Sequence, residues 1–564
     1  MIRSIDKLVN KEYDLIVIGG GIFGACAAWD AVLRGLDVAL IEKDDFCQAT
    51  SAHHFKMIHG GMRYLQHFDL KRVRESSRER SILLKTAPHL ATPLPILMPT
   101  YGHGLKGKEI LKIGLSLYES ITFDRNKAIS DPERKIPSSS CLTKDEILDQ
   151  YPGLNAKNLT GGIVFYDGQI YNPPRLVVSY IRSAVNEGLA ATNYTEAVDY
   201  IFKNNTIKGV VARDRLTGEE LEIRSKFVLN AAGPWAHRLN QGIFKKRQTK
   251  TPSFSRDLVL VVPKLLSKKY AFAHMAKSCD KDALFDRGGR HIFIVPWRKY
   301  SLIGVWHQVF NNAPEEITIK HAELQQFLDE INHVYQDVQL TLDDISFINT
   351  GLILFGTEND QGGKTNHSFG KRSMMIDHFK ESNIEGLITL IGVRATVARQ
   401  DAQKTIDMIL KRLNKKVSVS KTGTTAIHGG HIENFNELYR QADSRCRQKF
   451  GFGVKRSLLH NYGSKYEEVL KYTAEDSSLG QEIESTGVMQ AEVIHAVREE
   501  MAVKLQDVVF RRTELGTGEN PGCRAIEGSA ELMAGELKWN RQKTADEINE
   551  ISDIFERKGP WRVA

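Results

Sequence analysis

The sequence predicts an α/β protein: a dinucleotide-binding domain of Rossmann type, an interleaved α+β part, and an all-α C-terminal domain. Three observations carry that expectation. The chain opens on strand, glycine turn, helix and strand between residues 13 and 43. Strand-like apolar runs gather at 257–263, 291–297 and 301–306. From about residue 432 onward the apolar spacing is helical.

"YDLIVIGGG" (13–21) reads as a buried strand entering a glycine turn. The alanine-rich run from Ile22 to Leu33 reads as a helix, and Gly35 stands where a C-terminal stop belongs. "DVALIEK" (37–43) supplies a second strand. A charged helix is expected at 67–87, stopped near Pro88, and another at 174–188, begun by Pro174. Strands follow at 191–201, 207–213 and 221–229, and then comes the strand-rich stretch. A helix is expected at 318–335, and "GLITLIG" (386–392) is a strand leading into a helix at about 395–413. The polar stretch 414–430 reads as a linker before helices at 432–449, 464–471, 485–509, 525–536 and 542–557.

Composition narrows the class. A chain of 564 residues suggests two to four domains, and 41% hydrophobic with 26% charged residues is enough for a sizeable core. The net charge of +8 suits an anionic substrate or a surface near anionic lipid and gives no reason to expect nucleic acid. Cys26, Cys47, Cys141, Cys279, Cys446 and Cys523 fall in no CxxC or metal-ligand spacing, so neither a disulfide framework nor a metal site is expected. The N-terminus shows no signal-peptide pattern and no run of 18 apolar residues occurs, which points to the cytoplasm, either free or on the inner face of the membrane.

Gly19, Gly21 and Gly24 form G-x-G-x-x-G between strand and helix. The glycines permit the tight turn, the approach to a pyrophosphate and the close helix–strand contact, while Ile22 and Phe23 open the helix whose N–H groups would meet the phosphates. Glu42, followed by Lys43, ends the second strand where a carboxylate binds ribose hydroxyls, which disfavours NADP. This unit by itself leaves NAD and FAD open.

Three further stretches bear on that choice: "DDFCQATSAHHFKMIHGGMRYL" (44–65), "FVLNAAGPWA" (227–236) and "LITLIGVRATVARQDAQKTID" (387–407). With "NYGSKYEEVL" (461–470), "AEVIHAVREEMAVKLQDVVFRRTELG" (491–516) and "PGCRAIEGSAELMAGEL" (521–537), the chain resembles the FAD-dependent glycerol-3-phosphate dehydrogenases and oxidases, from about residue 13 to 555. These belong to the wider D-amino-acid-oxidase-like flavoproteins. The resemblance implies a discontinuous FAD-binding domain (1–90, 165–245, 350–415), an antiparallel-sheet substrate domain (91–164, 246–349) and a helical C-terminal domain (425–564). It implies that Thr50 and Ser51 bond the FAD pyrophosphate and that His59, Gly60 and Gly61 run beside the isoalloxazine. Val198 would contact adenine through its backbone, and Ala232, Gly233 and Trp235 would pack on the cofactor. Gly392, Arg394, Ala395 and Thr396 would reach the flavin pyrimidine edge.

The implied reaction, part of glycerol metabolism, oxidises the secondary alcohol of sn-glycerol 3-phosphate to dihydroxyacetone phosphate. Hydride passes to flavin N5, and quinone or another acceptor takes the electrons. Arg63 stands at the arginine of the family's "HGGLRYL", and Arg372 matches the one in its "SRDH". Arginine suits a phosphate because its planar fork binds two oxygens. His59 is a base candidate as a neutral-range imidazole beside the implied flavin, and His307 is a second one. Other positions depart: Val259 replaces a histidine, Ile353 replaces the arginine of "GVRPL", Trp306 and His307 enter where "TTD" gives "VWH", and Arg394 replaces a lysine, while Arg399 is kept. Losing one phosphate arginine costs about 2–5 kcal/mol, so either Arg394 or His307 rebuilds the anion site or the substrate is different.

Residues 105–121 carry an apolar stripe of Ile110, Ile113, Gly114, Leu117, Tyr118 and Ile121, flanked by Lys106, Lys108 and Lys112. A helix of that kind either packs on its own core or lies on anionic lipid. The competing functional classes are a flavoprotein acting on another hydroxy or amino substrate, an NAD-dependent Rossmann enzyme, and a flavin-bound non-catalytic interaction protein. A homodimer is an open arrangement.

Overall fold

The strand Leu15–Ile18 is buried along its whole length. It lies within a six-stranded sheet ordered Met374–Asp377, Leu387–Ile391, Val228–Asn230, Leu15–Ile18, Val38–Ile41, Ala190–Thr192. Only the Met374–Asp377 edge runs antiparallel. A sheet buried on both faces favours continuous apolar strands such as "LIVI" and "VALI". One face packs on the helices Ile22–Leu33, Pro173–Asn186 and Ala398–Arg412; the other packs on a four-stranded sheet built around Thr195–Lys203 and Thr206–Asp214. The computed structural model describes residues 1–102, 108–243, 253–266, 269–279, 289–355, 372–446, 452–559 and 562–563. Lys106, Gly370 and Lys371 lie outside the described residues, as do 447–449 of the expected C-terminal helix.

A second, larger sheet runs in the order Phe347–Phe355, Ser253–Pro263, Tyr300–Phe310, Gly289–Trp297, Ala271–Cys279, Ala91–Tyr101, Leu159–Ile170, Met57–Ile58. Helix His321–Val334 covers one face through Leu324, Phe327, Leu328 and Ile331. The other face carries the loop 50–56 and the C-terminal helices Gln490–Glu500, Cys523–Leu537 and Arg541–Glu556.

Several sequence-based expectations change. A strand that the sequence reading left out, Ala91–Tyr101, pairs along its length with Leu159–Ile170 despite Pro93, Pro95 and Pro99, which lack ladder donors. The expected strand 191–201 is two strands in different sheets, parted at Tyr194 with φ +52°. The expected helix 485–509 breaks at Met501, φ +56°, and resumes at Leu505. Residues 414–430 are not a free linker: Ile427 N donates to Thr86 O (3.1 Å), Arg399 Nη1 to Thr422 Oγ1 (2.9 Å), and Ile427 is buried. Nor is the C-terminal region a detached unit. Val493, Val508, Ile526 and Phe555 share one core with Phe55, Val259 and Trp297 of the sheet side. Fully buried Glu500 accepts from Arg175 and Arg182, and fully buried Asp45 is gripped by Arg511 and Arg512.

Candidate active site

The glycine fingerprint is a steric necessity. A Cβ on Gly24 would lie 1.9 Å from the Gly19 carbonyl oxygen, and one on Gly19, φ +105°, would lie 2.6 Å from the Ala231 oxygen. The residue before the helix, Gly21, offers no side-chain cap, and Ser51 Oγ accepts from Ile22 N at 3.0 Å. The helix's remaining first-turn donors, including Phe23 N–H, suit a pyrophosphate. Glu42 accepts from Gly20 N (2.7 Å) and Asp44 N (3.0 Å). Burial, helped by Asp44, pushes its carboxyl up to about 7 against the pull of those two donors.

At the far edge, Lys43 Nζ sits 4.0 Å from the Trp235 ring centre, and Trp235 Nε1 donates to Glu315 Oε1 at 2.7 Å. Ala232 and Gly233 (φ +56°) turn the chain out of the Val228–Asn230 strand. Val198 is skipped by the ladder, because Asp199 faces Val211 while Ala197 faces Ala212. A bulged residue of this kind leaves backbone groups free to meet a ligand. Gly392 makes room for Phe23, whose ring lies 1.9 Å from where a Cβ would be.

Ile22, Ser51, His54, Ala395 and Thr396 line one cavity, which extends inward to Cys26, Glu79, Tyr180 and Arg399. Of the residues expected at the pyrophosphate and at the pyrimidine edge, Ile22, Ser51, Ala395 and Thr396 meet around one space, while Thr50 turns away to Leu352 and Arg394 to Tyr64. The helix start, the bulge at Val198 and the cavity fit an extended dinucleotide.

The loop 50–56 forms the boundary of that cavity. Thr50 Oγ1 bonds Leu352 N (3.1 Å) and lies against Gly351, while Phe55 packs on Val259 and Gly304. His53 Nδ1 and Lys56 Nζ both bond Asn349 Oδ1, at 3.1 and 3.3 Å. These partners sit in adjacent cross-strand rows, Asp257–His307–Gly351 and Val259–Gly304–Asn349, on one sheet face. Val259, read from the sequence as replacing a histidine, is 1% exposed and shares one apolar core cluster with Phe55. Ile353 is half-buried opposite Ser255, Trp306 packs on Phe327 on the far face, and His307 Nδ1 lies 2.6 Å from Asp257 Oδ1.

"HGG" is equally constrained. A Cβ on Gly60 would lie 2.2 Å from Arg80 Nη1 and 2.4 Å from the Tyr118 oxygen, and Gly61 has φ +89°. Gly60 N donates to Asp167 Oδ1 (2.6 Å), Tyr118 OH donates to Gly60 O (2.9 Å), and Thr396 Oγ1 accepts from His59 N (3.2 Å). His59 Nδ1 stands 3.5 Å from Asp167 Oδ2, with half of its side chain exposed. Burial raises the Asp167 carboxyl, but His59 and Arg80 together hold it below its ordinary value. No sequence signal marked Asp167, a lone acid in a strand far along the chain.

Arg63 is exposed on the short helix Met62–His67. Arg394 Nη1 donates to Tyr64 OH (2.7 Å) and Ser76 Oγ (3.3 Å), with its guanidinium 5.0 Å from the Tyr64 ring centre. Exposed Arg372 feels the charge of Asp69, which caps the helix Leu70–Thr86. Arg63 precedes Tyr64 in the chain, and Arg394 reaches Tyr64 in space, next to the "HGG" turn. Sequence reasoning missed Tyr64 because its role exists only once Arg394 reaches it.

Lys56 was also missed. It is 3% exposed, and burial, with Arg298, lowers its amine to about 7. Between about pH 7 and 10 the unfolded chain then binds a proton that the folded one does not, so stability rises with pH across that window. Lys56→Met is expected to flatten the slope and add about 2–4 kcal/mol at pH 7, measured by denaturant unfolding at several pH values.

Comparisons with known proteins follow this geometry. Residues 14–368 match the family described as FAD dependent oxidoreductase (DAO), and residues 420–544 match the C-terminal domain of alpha-glycerophosphate oxidase. A glycerol-3-phosphate dehydrogenase from Synechocystis is 30% identical over 98% of both chains. An aerobic glycerol-3-phosphate dehydrogenase from Staphylococcus aureus is 31% identical, covering 90% of this chain and 87% of its own. The crystal structure of the Bacillus halodurans glycerol-3-phosphate dehydrogenase complexed with FAD superposes with a TM-score of 0.74 at 25% identity, covering 98% of this chain and 96% of its own. The cofactor is FAD, and the chain belongs to the FAD-dependent oxidoreductase family, with an α-glycerophosphate-oxidase type C-terminal domain.

Proposed function

We propose that this protein oxidises the secondary hydroxyl of a small phosphorylated polyol, with sn-glycerol 3-phosphate as the leading substrate and dihydroxyacetone phosphate as its product. The observation that carries the reading is the His59–Asp167 pair, with His59 N bonded to Thr396 of the cavity wall and Arg394 bonded to Tyr64 on the short helix that follows the same turn and carries Arg63. The names of the relatives support the same substrate. With Nδ1–H turned to Asp167, the Nε2 lone pair of His59 takes the hydroxyl proton, and Asp167 steadies the imidazolium that forms. Arg63 and Arg394 hold the phosphate dianion, with Arg394 supplying the fork that Ile353 lacks, and Arg372 adds positive potential. FAD, when bound, supplies the two-electron acceptor, and quinone or another carrier reoxidises it.

The half-buried Ile353 and the apolar Phe55–Val259 contact favour a second reading, a different hydroxy or amino substrate on the same scaffold. Anaerobic addition of sn-glycerol 3-phosphate to the FAD-loaded protein is expected to bleach the flavin absorbance. Bleaching by other alcohols or amines alone selects the second reading, and no bleaching by any of them selects a non-catalytic flavin protein.

Among the described residues no helix is long and apolar enough to cross a membrane. The helix Lys108–Ile121 buries Leu115 and Tyr118 while Ile113 and Leu117 stay exposed, near Phe123 and Lys112. We propose that this outer face rests on anionic lipid. Ile113→Asp combined with Leu117→Asp is expected to lower co-sedimentation with phosphatidylglycerol vesicles at least fivefold without altering flavin content; unchanged co-sedimentation removes this contact.

A further inference from the structure

The loop 50–56 divides its side chains between two sides. Thr50, His53, Phe55 and Lys56 are spent on the sheet, bonding Leu352 and Asn349 or packing on Gly304 and Val259. Ser51 and His54 turn the other way and line the cofactor cavity with Ile22, Ala395 and Thr396. His54 is also chemically fixed. The Lys56 backbone N–H donates to its Nδ1 at 2.9 Å. A backbone amide can only donate, so Nδ1 carries the lone pair and a neutral ring must carry its proton on Nε2. Burial, with the charges of Lys56, His53 and His59, pushes its titration far below the usual histidine value, so the ring stays neutral. Among the described residues Nε2–H finds no hydrogen-bond acceptor; Glu79, the carboxylate on the same cavity wall, is held by both arms of Arg399.

From the division of this loop and the Lys56 N–H···Nδ1 bond, we propose that His54 is a cofactor-binding residue, a neutral Nε2–H donor to a polar atom of FAD. A serine at this place would have to choose among rotamers and among backbone acceptors. The imidazole is set in one tautomer and one orientation by the chain two residues on, so little freedom is lost when the cofactor arrives. Because the ring is neutral, it acts through direction rather than through charge. That separates it from the helix N-terminus, which answers the pyrophosphate through the dipole.

FAD titrated into apoprotein and followed by flavin fluorescence tests this. His54→Ala and His54→Leu are expected to raise the dissociation constant about tenfold, the worth of one hydrogen bond. His54→Gln, which keeps an N–H donor, is expected to stay within about threefold of the parent. Alanine and leucine variants that bind FAD within twofold of the parent overturn the proposal, as does a glutamine variant no better than leucine. Acid precipitation of the holoprotein is expected to release all the flavin; flavin retained in the pellet indicates a covalent link and overturns a hydrogen-bonding role. Should the variants fail to fold, selective 15N-histidine labelling of the parent chain decides. A protonated Nε2 that shifts on FAD addition supports the role, and an Nδ1–H tautomer or an unmoved resonance ends it.

Discussion

Replacing Arg63 by alanine is expected to lower kcat/KM for sn-glycerol 3-phosphate by roughly 30- to 1,000-fold, about 2–4 kcal/mol of transition-state binding. The flavin should stay bound with an unchanged spectrum, because Arg63 sits on the short helix after Gly61 and outside the cavity wall formed by Ser51, His54 and Thr396. Saturation should be recoverable at high substrate, since the lost contact is with an anion that binds in the ground state as well. Lysine at the same position should restore part of the loss, keeping the charge without the planar fork. Rapid-reaction reduction under nitrogen reads this directly. An unchanged reduction rate at low substrate would remove Arg63 from the anion site and leave Arg394 as its centre.

The other large effect lies far from the substrate. Asp45→Ala is expected to destabilise the fold by about 3–5 kcal/mol, since it leaves Arg512 buried without a carboxylate and Arg511 with Asp507 alone. Burial alone would raise this carboxyl, but Arg512 and Arg511 outweigh it and hold it at about 2. The pair's stabilisation is therefore present above the ordinary carboxylate range and is lost as pH falls toward 2. Asp45 lies three residues past Glu42, and Asn193, which also bonds it, directly follows the edge strand Ala190–Thr192. FAD affinity should fall with stability in this variant. Urea unfolding followed by flavin release and by intrinsic fluorescence separates the two; a flavin that remains tightly bound in a destabilised chain would show that the C-terminal helices do not brace the cofactor loop.

The N-terminal unit was legible because each residue there answers to a local rule. Gly19 and Gly24 are demanded by backbone clashes within 2.6 Å, and Gly35 at φ +78° ends its helix as a left-handed stop. Such requirements are met within a dozen residues of chain, so the sequence carries them openly. The apolar stripe at 110–121 was only partly legible. The helix exists, but its buried side is Leu115 and Tyr118, while Ile113 and Leu117 of the expected stripe face outward. Periodicity reports an apolar side, not which neighbour covers it.

The sequence by itself determined the dinucleotide unit and the helical C-terminal region, because these rest on short-range spacing and backbone geometry, while the choice of flavin came from the resemblance of its motifs to a known family. Tertiary structure decided the rest. It set Asp167 against His59 across 108 positions of chain, joined Arg394 to Tyr64 across 330, and buried Val259 in one core with Phe55. It also turned His54, indistinguishable in the sequence from its neighbour His53, into the cavity while His53 went to the sheet. The physical reason is that hydrogen bonds, ion pairs and packing act over a few ångströms. Residues far apart in the chain acquire roles only when the sheets bring them within that range.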